Sequence, residues 1–276
     1  MTGEEPSRTV PDPTDHSPRK VITVPVPSLL AVFAHPDDES LSAGGVLARH
    51  ASAGARTAVV TATWAEDTPR AAELAEALRI LGAGAPRMLG HADARAPHSA
   101  PGSPRFCDAP LDDLVGQLVA HIREFRPDIV ITHDAYGGLT GHPDHVHTHR
   151  VTALALEAAG LERLYPDAGE PWHTRAMYMA THPHSAMAVW GDHWAPTGKA
   201  MYTVPDERVT AAVDVRPWLE QKIAAVLAHR TEVTRGAAPG LIAALPAADR
   251  ELLLSTEWYI RHNPVSTGAA QTELTS

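Results

Sequence analysis

"SLLAVFAHPDDES", residues 28–40, is a continuous apolar run that stops at a histidine, a proline and three consecutive carboxylates. A short apolar run ending in turn residues reads as a strand buried on both faces. The same alternation recurs downstream. "TAVVTATW" (57–64), "PRMLGHA" (86–92) and "DIVITHD" (128–134) are expected strands. Between them "SLSAGGVLARHASAG" (40–54), "TPRAAELAEALRILGAG" (68–84) and "LDDLVGQLVAHIREF" (111–125) have helical patterns. In the second of these Leu74, Leu78 and Leu81 recur at helical spacing, and Pro69 suits a first turn. Apolar strands alternating with helices predict a Rossmann-like, doubly wound α/β fold: a mostly parallel sheet with helices on both faces.

Beyond residue 160 the pattern loosens. "RAMYMATH" (175–182), "KAMYTVP" (199–205) and "VTAAVDV" (209–215) are expected strands, and 216–233 an expected helix. Residues 1–27 are polar and proline-rich and are expected to form a flexible arm. Residues 28–265 are expected to form a single α/β domain, and 266–276 a polar tail.

The 276 residues are 44% apolar, enough for a sizeable core. A net charge of −10 disfavours nucleic acid and anionic membrane as partners. Cys107 is the one cysteine, so neither an internal disulfide nor a thiolate zinc site can form. The most apolar segment, residues 21–34, holds two prolines and is too short to span a bilayer. The expected setting is cytoplasmic, with a small-molecule substrate, no stable membrane insertion and an oligomeric state that the sequence leaves open.

Crowded carboxylates repel unless a positive group stands among them. Doubly wound sheets bind ligands at the carboxyl ends of their strands, where strand order reverses. "HPDDE" lies at such an end. "GHPDHVHTHR" (141–150) follows the fourth strand, and in a 3-2-1-4-5 order the first and fourth strands are neighbours. Pro143 suits a first helical position, making His142 the cap, and His145 shares its face. His35, one carboxylate and one or two of these imidazoles make a nitrogen–oxygen site suited to catalytic zinc, one ion per chain, with Fe2+ the alternative metal. Such an ion lowers the pKa of water to roughly 7. His149 lies two turns from His142, roughly 10 Å along the axis, too far to share one ion. His147 points elsewhere.

"AHPDDE", "RAAELAEALRILG", "LGHAD", "DIVITHD" and "GHPDH", in that order and spacing over residues 28–160, resemble the LmbE-like (PIG-L) family of zinc-dependent N-deacetylases. The resemblance implies that His35, Asp38 and His145 are metal ligands and Asp37 the general base. It implies that His142 is an imidazolium steadying the oxyanion, and that Arg70 and Asp93 contact sugar hydroxyls. The chain as a whole is similar to N-acetylglucosaminyl deacetylases of teicoplanin-class glycopeptide antibiotic biosynthesis, the substrate expected first. Deacetylation of another N-acetylglucosamine conjugate, mycothiol-type or cell-wall, is the alternative. Mycothiol-type members carry a tyrosine where this chain has Thr140, and Tyr136 in the adjoining loop is the residue placed to substitute.

Two other classes stay in view: a nonhaem iron oxygenase, which the same two-histidine, one-carboxylate set would suit, and a non-catalytic sugar-binding module. Glu39 has a simpler reading, a carboxylate favoured by a helix N-terminus. Asp144 either orients a ligand histidine or occupies a first turn. His182 and His184 are candidates for the pocket wall or the surface, with His91 and His98 on loops or strand ends. Trp190 and Trp194 are candidates for an apolar wall or for packing. Gly137 and Gly138 read as a hinge or a plain turn.

Overall fold

The computed structural model describes residues 26–198 and 200–262; most of the expected arm (1–25) and the expected tail lie outside the described residues. Its first half alternates as expected: β1 (Leu29–Phe33), α1 (Asp38–Ser52), β2 (Thr57–Thr63), α2 (Pro69–Leu81), β3 (Pro86–His91), α3 (Leu111–Phe125), β4 (Ile129–His133) and α4 (Pro143–Ala159). The second half adds β5 (Ala176–Thr181), α5 (Met187–Trp194), β6 (Ala211–Asp214), α6 (Leu219–Ala228), α7 (Arg230–Thr234), α8 (Ala238–Ala244), α9 (Ala247–Leu254) and β7 (Thr256–His262).

These seven strands form one sheet in the order β3-β2-β1-β4-β5-β7-β6. The first five are parallel. β7 runs antiparallel to β5, and β6 antiparallel to β7. β1 is central and buried along its whole length. Its side chains alternate between two cores: Leu30 and Val32 pack with Leu118, Ile122 and Ala155, whereas Leu29, Ala31 and Phe33 pack with Leu47, Leu78 and Ala225. Each of the leucine, valine and phenylalanine side chains contributes about 1.5–3 kcal/mol by leaving water, so the strand before "HPDDE" is firmly anchored on both faces.

Two expectations need correction, and one strand was not anticipated. In the strand expected over 199–205, the described residues 200–205 form only an isolated bridge, Val204 to Pro183. Instead the Tyr202 N–H donates to Leu139 O and the Val204 N–H to His182 O, so this segment is tied across the loops beside the site. The helix expected over 216–233 breaks at His229 (φ −77°, ψ 64°) into α6 and α7. Strand β7 lacked an apolar signal because two of its buried positions serve polar contacts to α1. Glu257 accepts the Gly45 and Val46 N–H groups and pairs with buried Lys222 at 2.8 Å, and the Tyr259 hydroxyl donates to Ser42 O. Among the described residues, no helix is long and apolar enough to cross a membrane.

Candidate active site

β1 and β4 are neighbours, so the turn after β1 and the segment after β4 meet at the reversal of strand order. His142 caps α4, its Nδ1 accepting the Asp144 N–H at 3.2 Å, with Pro143 in the first turn. On the facing loop Asp37 precedes α1 at φ 140°, a left-handed value that disfavours any residue but glycine. Gly137 also has positive φ (77°), and a Cβ there would meet Val146 at 2.8 Å. Its carbonyl thereby accepts the His145 Nδ1–H at 3.1 Å, which gives Gly137 a fixed structural task.

Three donor atoms converge. His35 Nδ1 lies 3.0 Å from His145 Nε2 and 3.3 Å from Asp38 Oδ2, and His145 Nε2 lies 3.3 Å from the same oxygen. Ligands 2.0–2.2 Å from a tetrahedral ion stand about this far apart. Hydrogen bonds set each tautomer. His35 Nε2–H points at Asp144 Oδ2 (3.2 Å) with Asp93 Oδ2 at 3.3 Å, so once the ring is neutral its lone pair is on Nδ1. The His145 Nδ1–H bond to Gly137 O leaves its Nε2 lone pair free. The residues present thus fit a metal ion.

His133, at the end of β4, was absent from the sequence-derived site, although a histidine at a central strand's carboxyl end is the signal that marks His35. Its Nε2 lies 3.4 Å from Asp38 Oδ2. However, the Ala34 N–H donates to that nitrogen, and the ring stacks on His145 at 4.0 Å and 9°. Asp38, His133 and His145 also stand close enough to hold an ion, but the His133 Nε2 already accepts the Ala34 N–H.

Burial works to raise Asp38, but the neighbouring imidazoles outweigh it and hold the carboxyl well below the usual range. For Asp37 burial prevails: the carboxyl is pushed up to about 7, with Arg70 pulling it down and Asp38 adding to the rise. Burial lowers His35, yet hydrogen bonds to Asp144 and Asp38 and nearby negative charge raise it to about 10. His142 is driven down to about 4 by burial and the neighbouring His35 charge, so it is neutral near pH 7. Because its Nδ1 accepts a backbone N–H, its proton sits on Nε2.

A cavity of about 730 Å³ opens over these groups, lined among others by Asp37, Arg70, Asp93, His142, His182, Trp194 and Tyr202. Arg70 is buried; its Nη2 donates to Pro36 O (2.5 Å) and Asp37 Oδ1 (3.1 Å), and its Nη1 faces Glu232 Oε1 at 3.3 Å. Trp194 is both packed and part of the wall; Trp190 falls among the side chains not described. His184 is bonded to Thr203 away from the cavity, His91 bonds Gln117, and His149 donates to His133 O. Tyr136 does not reach in from the loop: it is half exposed and stacks on Tyr202, whose ring lies against Gly141.

Fold and site together define an α/β enzyme with a buried histidine–aspartate centre at a sheet switch point. A family model, PIG-L, GlcNAc-PI de-N-acetylase, matches residues 30–156. A 1D-myo-inositol 2-acetamido-2-deoxy-alpha-D-glucopyranoside deacetylase from Rhodococcus erythropolis is 38% identical over 77% of this chain and 83% of its own. The chain belongs to the PIG-L family of deacetylases. The structure of the conserved protein TT1542 from Thermus thermophilus is similar, with 26% identity, TM-score 0.59 and coverage of 90% of this chain and 100% of that one. A deacetylase of teicoplanin biosynthesis is 22% identical with TM-score 0.53, over 88% of this chain and 100% of its own. That last likeness shows the fold alone, so it lends no support to the glycopeptide expectation.

Proposed function

We propose that this enzyme hydrolyses the N-acetyl amide of a glucosaminyl glycoside of the inositol type, releasing acetate and a free amine. The convergence of His35 Nδ1, Asp38 Oδ2 and His145 Nε2 beside Asp37 carries the proposal. These three residues would hold one zinc ion. When bound, the metal supplies Lewis acidity, making water nucleophilic near neutral pH and polarising the amide carbonyl.

The chain's own groups do the rest. Asp37, raised to about 7, is matched to accept a proton from water and return it to the departing amine. Arg70 fixes the orientation of that carboxylate. His142 offers an Nε2–H donor toward developing negative charge, the oxyanion-steadying role expected from the resemblance. Asp93 and Arg70 line the cavity within reach of sugar hydroxyls. The inositol-glycoside choice rests on the Rhodococcus relative. Thr140 remains a departure from the mycothiol-type pattern, and Tyr202, on the cavity wall beside Gly141, is the nearest phenol to that position among the cavity-lining residues.

Mass spectrometry of zinc-loaded protein with N-acetylglucosamine, its inositol glycoside and an N-acetylglucosaminyl glycopeptide tests the proposal, with Asp37→Asn as control. Acetyl loss from the inositol glycoside, abolished in Asp37→Asn, is expected. Loss confined to the glycopeptide would overturn the substrate, and no loss from any of the three would overturn the reaction.

A further inference from the structure

We infer that Glu39 and His229 form a positioning pair that holds Asp37 in its strained, productive orientation, an inference that rests on Asp37 being the general base. The peptide unit joining Pro36 to Asp37 is gripped at both ends. Its carbonyl accepts from Arg70 Nη2 at 2.5 Å, and its N–H donates to Glu39 Oε2 at 3.0 Å. The second Glu39 oxygen accepts His229 Nε2–H at 2.9 Å and the Ser40 hydroxyl at 2.5 Å. Glu39, Ser40 and His229 are all completely buried.

An ordinary carboxylate at a helix N-terminus explains less than this. Such a group is stabilised by the helix dipole at the surface and needs no buried partner. Here the carboxylate is withdrawn from water at the cost of desolvation, and an imidazole from 190 residues away is brought to it. That imidazole stands where α6 breaks into α7, so the break in the helix delivers the contact. The Asp37 backbone at φ 140° explains what the contact is for. A non-glycine residue there is strained and persists only when its surroundings over-determine it. Asp37 makes no side-chain capping bond at the start of α1; Arg70 holds its carboxylate and the Leu41 N–H its carbonyl, so its own N–H is fixed by Glu39 alone. Loosening the Glu39 grip frees that N–H and lets the carboxylate shift on its Arg70 contact relative to the reacting atoms. Misplacement by roughly 1 Å lowers turnover by about a hundredfold.

The test compares zinc-loaded His229→Ala, His229→Gln and Asp37→Asn for kcat, KM and bound zinc. The expected result is a kcat lowered roughly 10–100-fold in His229→Ala, with KM and zinc content unchanged. In His229→Gln, whose amide can still donate to Glu39, kcat should recover to within a few fold. Wild-type kcat in His229→Ala overturns the inference. So does a kcat that falls only in proportion to lost zinc, which would make the pair a support of the metal centre. Glu39→Gln keeps one acceptor oxygen and supplies a second folded variant, expected to lose kcat without loss of zinc. Full turnover in Asp37→Asn would instead remove the base itself, so the two failures are distinguishable.

Discussion

Asp144 Oδ2 stands 3.2 Å from Nε2 of His35, on the ring edge opposite the nitrogen that faces His145. The aspartate is fully buried and also accepts the Ala94 N–H at 2.9 Å, so its position is fixed from the β3 side. A carboxylate placed so selects one tautomer and makes the far nitrogen more basic. Asp144→Asn preserves the volume and weakens that bond. Zinc affinity, measured by competition with a chelator, should fall roughly 10–100-fold. An unchanged affinity would show that Asp144 has no part in orienting His35.

In the metal-free protein His35 is raised to about 10 and carries a proton at pH 7. Coordination requires the neutral ring, so zinc binding should expel about one proton. Calorimetry in buffers of differing ionisation enthalpy reads that proton directly. By the same sign, stability that protonated His35 lends the metal-free fold is fully present below about 6.5 and is lost as pH rises through about 10. A titration with no proton release would contradict the bond network around the ring.

His182 behaves in the opposite sense. Burial, opposed by Asp134 and assisted by Lys222, lowers it to about 4. The unfolded chain then binds a proton that the folded one does not between about 6.5 and about 4. Stability contributed by neutral His182 is present above about 6.5 and lost as pH falls through about 4. His182→Gln should lessen the decline in melting temperature over that window, which a series of thermal melts from pH 7 to pH 4 would detect.

Gly45 in α1 has no room for a side chain. A Cβ would stand 2.4 Å from the Val215 Cβ. Gly45→Ala should cost about 1–3 kcal/mol through forced displacement of the strap before α6. Chemical denaturation measures this, and adding Val215→Ala should recover part of the loss. Equal stability of Gly45→Ala and the native chain would mean that the two segments separate freely.

The parallel half of the sheet was legible because each of its strands is a short apolar run closed by turn residues. The candidate site residues that the structure brings together lie at strand ends, as His35, Asp37 and Asp38 do, or in the first turn after a proline, as His142 and His145 do. What stayed hidden depends on pairings across the fold. His133 sits inside an apolar run and shows its polar contacts only when β4 lies beside β1. β7 disguises itself by burying Glu257, a residue that local pattern assigns to solvent. The break at His229 falls within an amphipathic run with no glycine or proline at that point, and its imidazole bonds Glu39, 190 residues away, a pairing no local pattern shows. Tyr202 comes to the cavity through one backbone bond to Leu139, on a segment whose composition imitates a strand.

The hold of β7 on α1 also bears on how the chain is made. Glu257 and Tyr259 serve the backbone of a helix that begins at Asp38, more than two hundred residues earlier. A ribosome adding about 5–20 residues per second delivers α1 on the order of 10–40 s before those partners emerge. During that interval the nascent parallel sheet can assemble while the turn bearing Asp37 and Asp38 waits for His229 and then for β7. The enzyme should therefore gain activity late in synthesis, and chains stalled before residue 256 should be the ones that molecular chaperones retain.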